Sequence, residues 1–192
     1  ELLSPKDKIG FLNWSEIIEM YDSGVMDIQS HSMSHDRYFR SSRIIEIYTG
    51  QSNYHWLAWI EKPERKPFYL AEDQRKIVPI GYPVFENDRA LAIRRYFPDE
   101  RIIEISIELS KDLVHNEFLE EKNKIIVKLN SMIEKYPGRH ETDKEMESRY
   151  RYELFESKRI LEEKLNKPVD FLCWPGGGYN DLSQKIAMEA GY

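Results

Sequence analysis

Cysteine is nearly absent from this 192-residue chain. Cys173 stands alone, so no internal disulfide framework holds the fold. Long apolar runs are lacking too: nothing approaches the ~20 residues a membrane-spanning helix needs. No N-terminal secretory signal pattern is visible. A basic excess is missing. Lys and Arg number 28 against 34 Asp and Glu, the net charge is −6, and the two signs are interspersed. A nucleic-acid groove would want a basic stripe, so a nucleic-acid partner is not expected. Neither internal repeats nor low-complexity segments occur. What remains is 41% hydrophobic and 32% charged residues, enough for a real core under a charged surface. The length suits one domain, or one domain with a large insertion. The chain starts at Glu1 without Met and stops at Gly191-Tyr192, so it is expected to be a piece of a longer protein. The missing signal then says nothing of export.

Taken in order, residues 1 to 10 read as a loop. Asn13 with Glu16 suggests a capping box, Trp14, Ile17, Ile18 and Tyr21 form a helical apolar face, and Gly24 is placed to end that helix. A strand over 25 to 30 follows directly. Ser41 or Ser42 is placed to cap a short segment through Tyr48. Residues 49 to 100 are rich in aromatics, Pro and Gly, and read as short strands or an irregular excursion. Ala90 to Tyr96 is expected to form a short helix stopped by Pro98. Ile103, Ile105, Ile107 and Leu109 alternate with Glu104, Ser106 and Glu108, which is strand periodicity; the start of a helix is the alternative. Residues 111 to 136 are helical by their stripe Leu119, Ile126, Leu129, Ile133 and Tyr136. Thr142 with Glu145 opens a long helix to about Asn166, with Tyr150, Leu154, Leu161 and Leu165 inward. Pro168 opens a strand over Val169 to Trp174, and Asn180 caps a last helix. The Glu/Lys-rich tracts at 116 to 128 and 141 to 164 read as solvated helix faces. Strands alternating with helices imply right-handed βα units and a parallel sheet.

Two stretches carry chemistry. His31-Ser32-Met33-Ser34-His35 places two imidazoles at i, i+4, on one face of a helical turn or a tight loop of similar rise. Such a pair can share one divalent metal ion, though it also arises by chance. Far downstream, Cys173-Trp174-Pro175-Gly176-Gly177-Gly178-Tyr179-Asn180 follows a strand. Three glycines in a row permit positive φ and close backbone approach to a ligand, although a plain turn before a helix is the simpler reading. If both stretches follow parallel strands, one end of the sheet collects them.

Together these features resemble the polysaccharide deacetylases, the NodB-homology carbohydrate esterases. His31 to His35 matches the family's H-[ST]-x-x-H motif, and Phe171 to Asn180 is similar to its third motif. The resemblance covers roughly residues 11 to 36 and 148 to 192, not the middle. It implies an α/β fold, a portion of a distorted (β/α) barrel with a large α+β insertion. Residues 1–48 would form the first part with the His pair, 49–140 an inserted aromatic-rich and helical region, and 141–192 the second part with the Gly-rich loop. It implies a metal-dependent hydrolase removing N-acetyl groups from an N-acetylated glycan, or a catalytically silent carbohydrate-binding relative.

Mapped by motif, His31 and His35 would be metal ligands, for zinc first, or for Co, Ni or Mn. The backbone N–H of Gly176 would be the oxyanion donor. Trp174, Tyr179 and Trp56 are candidate sugar contacts, with Trp59, Tyr69 and Tyr82 as further platforms; the alternative is that these rings form the excursion's own small core. The family's motif Arg and Tyr are Cys173 and Gly176 here, so the arginine's orienting role is met elsewhere or the site is weaker. The metal Asp and base Asp of the family are expected before Glu1, and its acid His after Tyr192. Asp27 alternates away on its strand; Asp36 could contact a ligand. A glycan substrate would suit the cell envelope or exterior, and cytosolic relatives are compatible.

Overall fold

The computed structural model describes residues 12–68, 77–111 and 115–192, so the expected loop at 1 to 10 and Tyr69 lie outside the described residues. Helix α1 (Trp14–Asp22) opens as expected: the Asn13 side chain accepts from Glu16 N and the Glu16 carboxylate accepts from Asn13 N. Gly24, at φ 70°, turns the chain out of it. The expected strand over 25 to 30 reduces to one parallel bridge, Ser30 with Leu172. Ser30 N donates to Phe171 O and Cys173 N to Ser30 O, at 3.2 and 2.9 Å.

The segment through Tyr48 is not a capped turn but a strand, β1 (Arg37–Ile47), antiparallel to β2 (Pro83–Arg89). Its apolar residues Phe39, Ile44 and Ile47 are buried, and Ser41 spends its hydroxyl on Glu86 rather than on a helix end. Where the ladder shifts register at Ile44, the Asn130 side chain on α4 (His115–Met132) takes both backbone groups, at 2.9 Å each. These strands, α2 (Leu57–Glu61), α3 (Glu100–Ser110) and α4 enclose one core built on Phe39, Trp56, Leu57, Phe85, Ile102 and Leu129.

Residues 100–110 are helical, against the strand expectation. Asp99 caps the N-terminus, and Ile102, Ser106 and Ser110, four apart, form the buried stripe. The alternating isoleucines fall on both flanks of that stripe, partly buried, which satisfies the same composition. Serines on the stripe admit Gly81 closely: a Cβ there would lie 2.7 Å from Ser110 Cβ.

Ala90–Ala92 makes a single 3-10 turn instead of the expected helix, and the chain then extends into β3 (Tyr96–Phe97), paired with β4 (Arg139–His140). Tertiary partners have taken the helix's own acceptors. Arg149 holds the carbonyls of Ala90 and Ile93, and Asn180 holds that of Ala92.

Helix α5 (Asp143–Arg151) starts at the Thr142/Glu145 capping box and runs through a π turn, Tyr152–Glu156, into α6 (Ser157–Leu165), which ends at left-handed Asn166. Tyr150 and Leu154 are buried as expected and pack with Leu91 and with Ile186 of α7 (Asp181–Glu189) in a second core. The reading of 141 to 164 as solvated faces fails at two positions, since Glu141 and Glu153 are each 4% exposed. Among the described residues the sheets are two antiparallel pairs plus the one parallel bridge, so the fold is mixed α/β without a closed barrel or a continuous parallel sheet. No helix among them is long and apolar enough to cross a membrane.

Candidate functional site

The Ser30–Leu172 bridge brings the two chemical stretches together. His31 follows Ser30 and the glycine loop follows Leu172. His31 Nδ1 lies 2.7 Å from Cys173 O, across 142 residues of sequence. A carbonyl oxygen only accepts, so Nδ1 carries the proton and Nε2 keeps its lone pair in the neutral ring. The His31 and His35 ring centroids are 4.9 Å apart.

A loop, not a helix, achieves this convergence. Ser32 and His35 sit at φ 67° and 53°. Left-handed backbone at non-glycine residues costs on the order of 1–3 kcal/mol each, so surrounding contacts must hold it. Glu153 supplies them. Its Oε2 accepts from Met33 N and Ser34 N at 3.0 and 2.9 Å, and its Oε1 from Ser34 Oγ at 2.6 Å. The π turn presents Glu153 and Leu154 together to the interior; such turns recur at functional sites. On the other side Lys66 Nζ donates to Ser34 O and pairs with Asp36 at 2.8 Å, its ammonium 4.4 Å from the Trp59 ring centroid. Asp36 is therefore buried in an ion pair that braces the loop. Asp27 is exposed and paired with Lys167.

Burial lowers the His35 imidazole below histidine's ordinary value; a hydrogen bond to its own backbone opposes this, and the charges of His31, Lys66 and Arg89 add to the lowering. Neutral imidazole is the form that ligates metals. Among the described residues no group of three or more His, Cys, Asp or Glu side chains is placed to hold a metal ion, so the pair stands with two candidate ligands.

The glycine loop is a 3-10 turn with Gly176 and Gly177 at positive φ, 55° and 71°. Its two bonds use the amides of Gly177 and Gly178, to Trp174 O and Pro175 O, and not that of Gly176. Arg89, the last residue of β2, lies along this loop. A Cβ on Gly176 would come within 2.1 Å of Arg89 Nε, and one on Gly178 within 2.2 Å of Arg89 Cβ. Nothing larger than glycine fits under the arginine stem. Gly178→Ala should therefore push β2 off the loop. We expect a loss of about 1–3 kcal/mol in urea denaturation, as for overpacked sites. Gly177→Ala meets open space but should also cost on the order of 1–3 kcal/mol, because its backbone is left-handed at φ 71°.

A cleft of about 560 Å³ opens beside His35, lined among others by Arg37, Trp56, Trp59, Asn87 and Arg89. Trp56 reaches it but is 5% exposed, and Tyr82 is buried, so both rings serve mainly the core. Trp174 and Tyr179 pair on the glycine loop, ring centroids 5.3 Å apart, with Tyr179 exposed. Sequence reasoning missed Glu153, Lys66 and Arg89. Glu153 and Lys66 come from tracts with ordinary surface composition, and Arg89 from a stretch without any motif. Only the packing partners distinguish them.

No protein-family model and no curated protein matches the sequence. Among solved structures, the chain is similar to the BpsB deacetylase domain from Bordetella bronchiseptica, with 18% identity and a TM-score of 0.48 over 100% of this chain and 44% of that one. It is also similar to a de-N-acetylase from Aggregatibacter actinomycetemcomitans, with 16% identity and a TM-score of 0.46 over 99% of this chain and 44% of that one. The chain thus spans less than half the length of either structure.

Proposed function

We propose that this chain contributes the histidine pair and the oxyanion-side loop of a metal-dependent hydrolase that removes N-acetyl groups from an N-acetylated glycan, within a portion of a distorted (β/α) barrel. One observation carries the reading: two motifs over a hundred residues apart meet through the hydrogen bond from His31 to Cys173 O. Metal-ligating histidines commonly donate their second ring N–H to a carbonyl in this way, which fixes the tautomer and the ring. His31 and His35 suit zinc, and cobalt, nickel or manganese as alternatives. A third ligand would come from a carboxylate outside the described residues. When bound, the cation supplies Lewis-acid polarisation of the acetamide carbonyl.

The chain's own residues do the rest of the work assigned here. Gly176 N–H is the donor aimed at the oxygen that gains charge, a type of contact worth roughly 3–4 kcal/mol in acyl transfer. Positive φ at Gly176 and Gly177 turns the loop tightly, and the bare Gly176 admits the Arg89 guanidinium against it. Glu153 and Lys66 hold the His35 loop so that neither ring must reorganise during the reaction. Trp174 and Tyr179 offer a ring pair to a sugar face.

A silent carbohydrate-binding relative is the second reading. Cys173 at the motif's arginine position favours it. Metal analysis and acetate release decide between the two. We expect the whole protein, with the third ligand and the proton-transfer groups supplied, to bind one divalent ion per molecule and to release acetate from chitin oligomers or N-acetylated peptidoglycan, with chelator abolishing release. Residues 1–192 alone should show weak or no activity. In the whole protein His31→Ala should abolish both binding and release. Metal binding without acetate release from any N-acetylated glycan would leave the silent binder. No metal uptake, with His31→Ala indistinguishable from the parent chain, would refute both the metal site and the hydrolase.

A further inference from the structure

The cleft beside His35 contains two like charges facing one another. Arg37 opens β1 and Arg89 closes β2, and they are direct register partners in the antiparallel pair. Residues directly opposite in such a pair project from the same face, and like charges there are destabilising. Both line the cleft. Neither guanidinium makes an ion pair among the described residues. Arg37 Nε donates to the Asn87 side-chain oxygen at 3.0 Å, while the Arg89 stem and guanidinium run over Gly178 and Gly176. The neighbouring carboxylate, Asp88, lies 3.9 Å from Arg40, accepts from Arg89 N at 2.8 Å, and acts on Arg37 only through space. Lys66, the nearby ammonium, is already committed to Asp36 and Ser34 O. Two planar donor forks on one wall, with Trp56 and Trp59 beside them, are built for a carboxylate or a phosphate.

We infer that Arg37 and Arg89 form an anion subsite, and that the glycan presented to His31 and His35 carries a carboxylate or phosphate group near its acetamide. That the ligand is a glycan rests on the function proposed above; the anion site itself does not. The charge repulsion across β1 and β2 is relieved when the anion enters. Arg89, touching Gly176, places the anion next to the loop that carries the oxyanion donor.

The test is calorimetric titration at low salt of the protein stripped of metal and then dialysed free of chelator, whose own carboxylates would compete for the site. Hyaluronan tetrasaccharide, which carries uronate carboxylates, is compared with neutral chitotetraose. N-acetylglucosamine 6-phosphate is compared with N-acetylglucosamine. At least one acidic probe should bind about tenfold tighter than its neutral counterpart, a difference of about 1.4 kcal/mol. Which probe shows it tells carboxylate from phosphate. Arg37→Gln and Arg89→Gln should each shrink the preference to about twofold or less, with Tm confirming that each variant is folded; the relieved repulsion offsets part of the lost Asn87 bond and loop packing. Equal binding of acidic and neutral probes, or a preference that survives both substitutions, overturns the inference. So does failure of both acidic probes to bind, the result expected if a carboxylate of the protein itself fills the site. Anion preference without metal uptake or acetate release would sink the hydrolase alone; chelator-sensitive acetate release without anion preference would sink the subsite alone.

Discussion

Glu153→Ala should lower stability by about 3 kcal/mol and weaken metal binding at the histidine pair by about 10- to 100-fold. The first figure follows from what the carboxylate holds. It accepts two backbone N–H groups and one hydroxyl from the His31–His35 loop while 4% exposed. Hydrogen bonds to a charged acceptor contribute roughly 1.5–3 kcal/mol each and do not add fully, and donors left without an acceptor in a buried place cost more. The second figure is the usual effect, at a metal site of the kind proposed, of removing a group that orients a ligand without touching the metal. The loop keeps Ser32 and His35 in left-handed backbone, and it would relax once Met33 and Ser34 are released. Urea denaturation gives the stability, and titration with zinc gives the affinity. Glu153→Gln should fall between, because one amide oxygen remains but the amide nitrogen faces the donors. Full stability together with unchanged zinc affinity in Glu153→Ala would show that the loop holds itself.

Arg149→Ala should cost about 3–5 kcal/mol, the range for stripping one partner from a buried ion pair. The guanidinium makes a two-pronged bond to Glu141, 2.7 Å on each side, and holds the carbonyls of Ala90 and Ile93 at 2.6 and 3.0 Å. Glu141 also accepts from Arg95 N at 2.9 Å. Burial alone would raise the Glu141 carboxyl, but the Arg149 fork and the Arg95 amide outweigh it and hold the group below the ordinary glutamate value. A carboxyl lowered on folding contributes stability that is complete above its unfolded value and is lost as pH falls through the folded one. The wild-type chain should therefore lose this contribution only at pH below the ordinary carboxylate range. In Arg149→Ala the counter-charge is gone and burial raises the carboxyl above its unfolded value, so the sign reverses: the variant's deficit should be largest near neutral pH and should shrink as pH falls through the raised value. Denaturation midpoints measured across the acidic range check both statements. A variant whose midpoint falls in parallel with the wild type at every pH would mean Glu141 does not depend on Arg149.

The elements that read correctly from residues are those whose signals are local. Asn13 with Glu16, Thr142 with Glu145, and Asn180 all cap helices as expected, because a cap is a contact across three residues. The misreadings occur where distant partners outbid local preference. Ala90 to Tyr96 composes as a helix, yet Arg149, Tyr150, Asn180 and Glu141 take its backbone groups. Ile103 to Leu109 alternates like a strand, yet Asp99 and the Ser106–Gly81 contact make a helix that buries every fourth residue.

The same division runs through the candidate site. Sequence alone established the chemistry on offer: an i, i+4 imidazole pair and a triple-glycine loop, recognisable because their spacing is itself the signal. It could not say how the two are held. Glu153, Lys66 and Arg89 look like any surface charge in the chain, and their roles arise from a π turn, a 3-10 segment (Pro63–Phe68) and a strand end packed around one loop. Their meaning lies in which buried donors they satisfy and which like charge they face. That is a property of neighbours in space, and only folding chooses those neighbours.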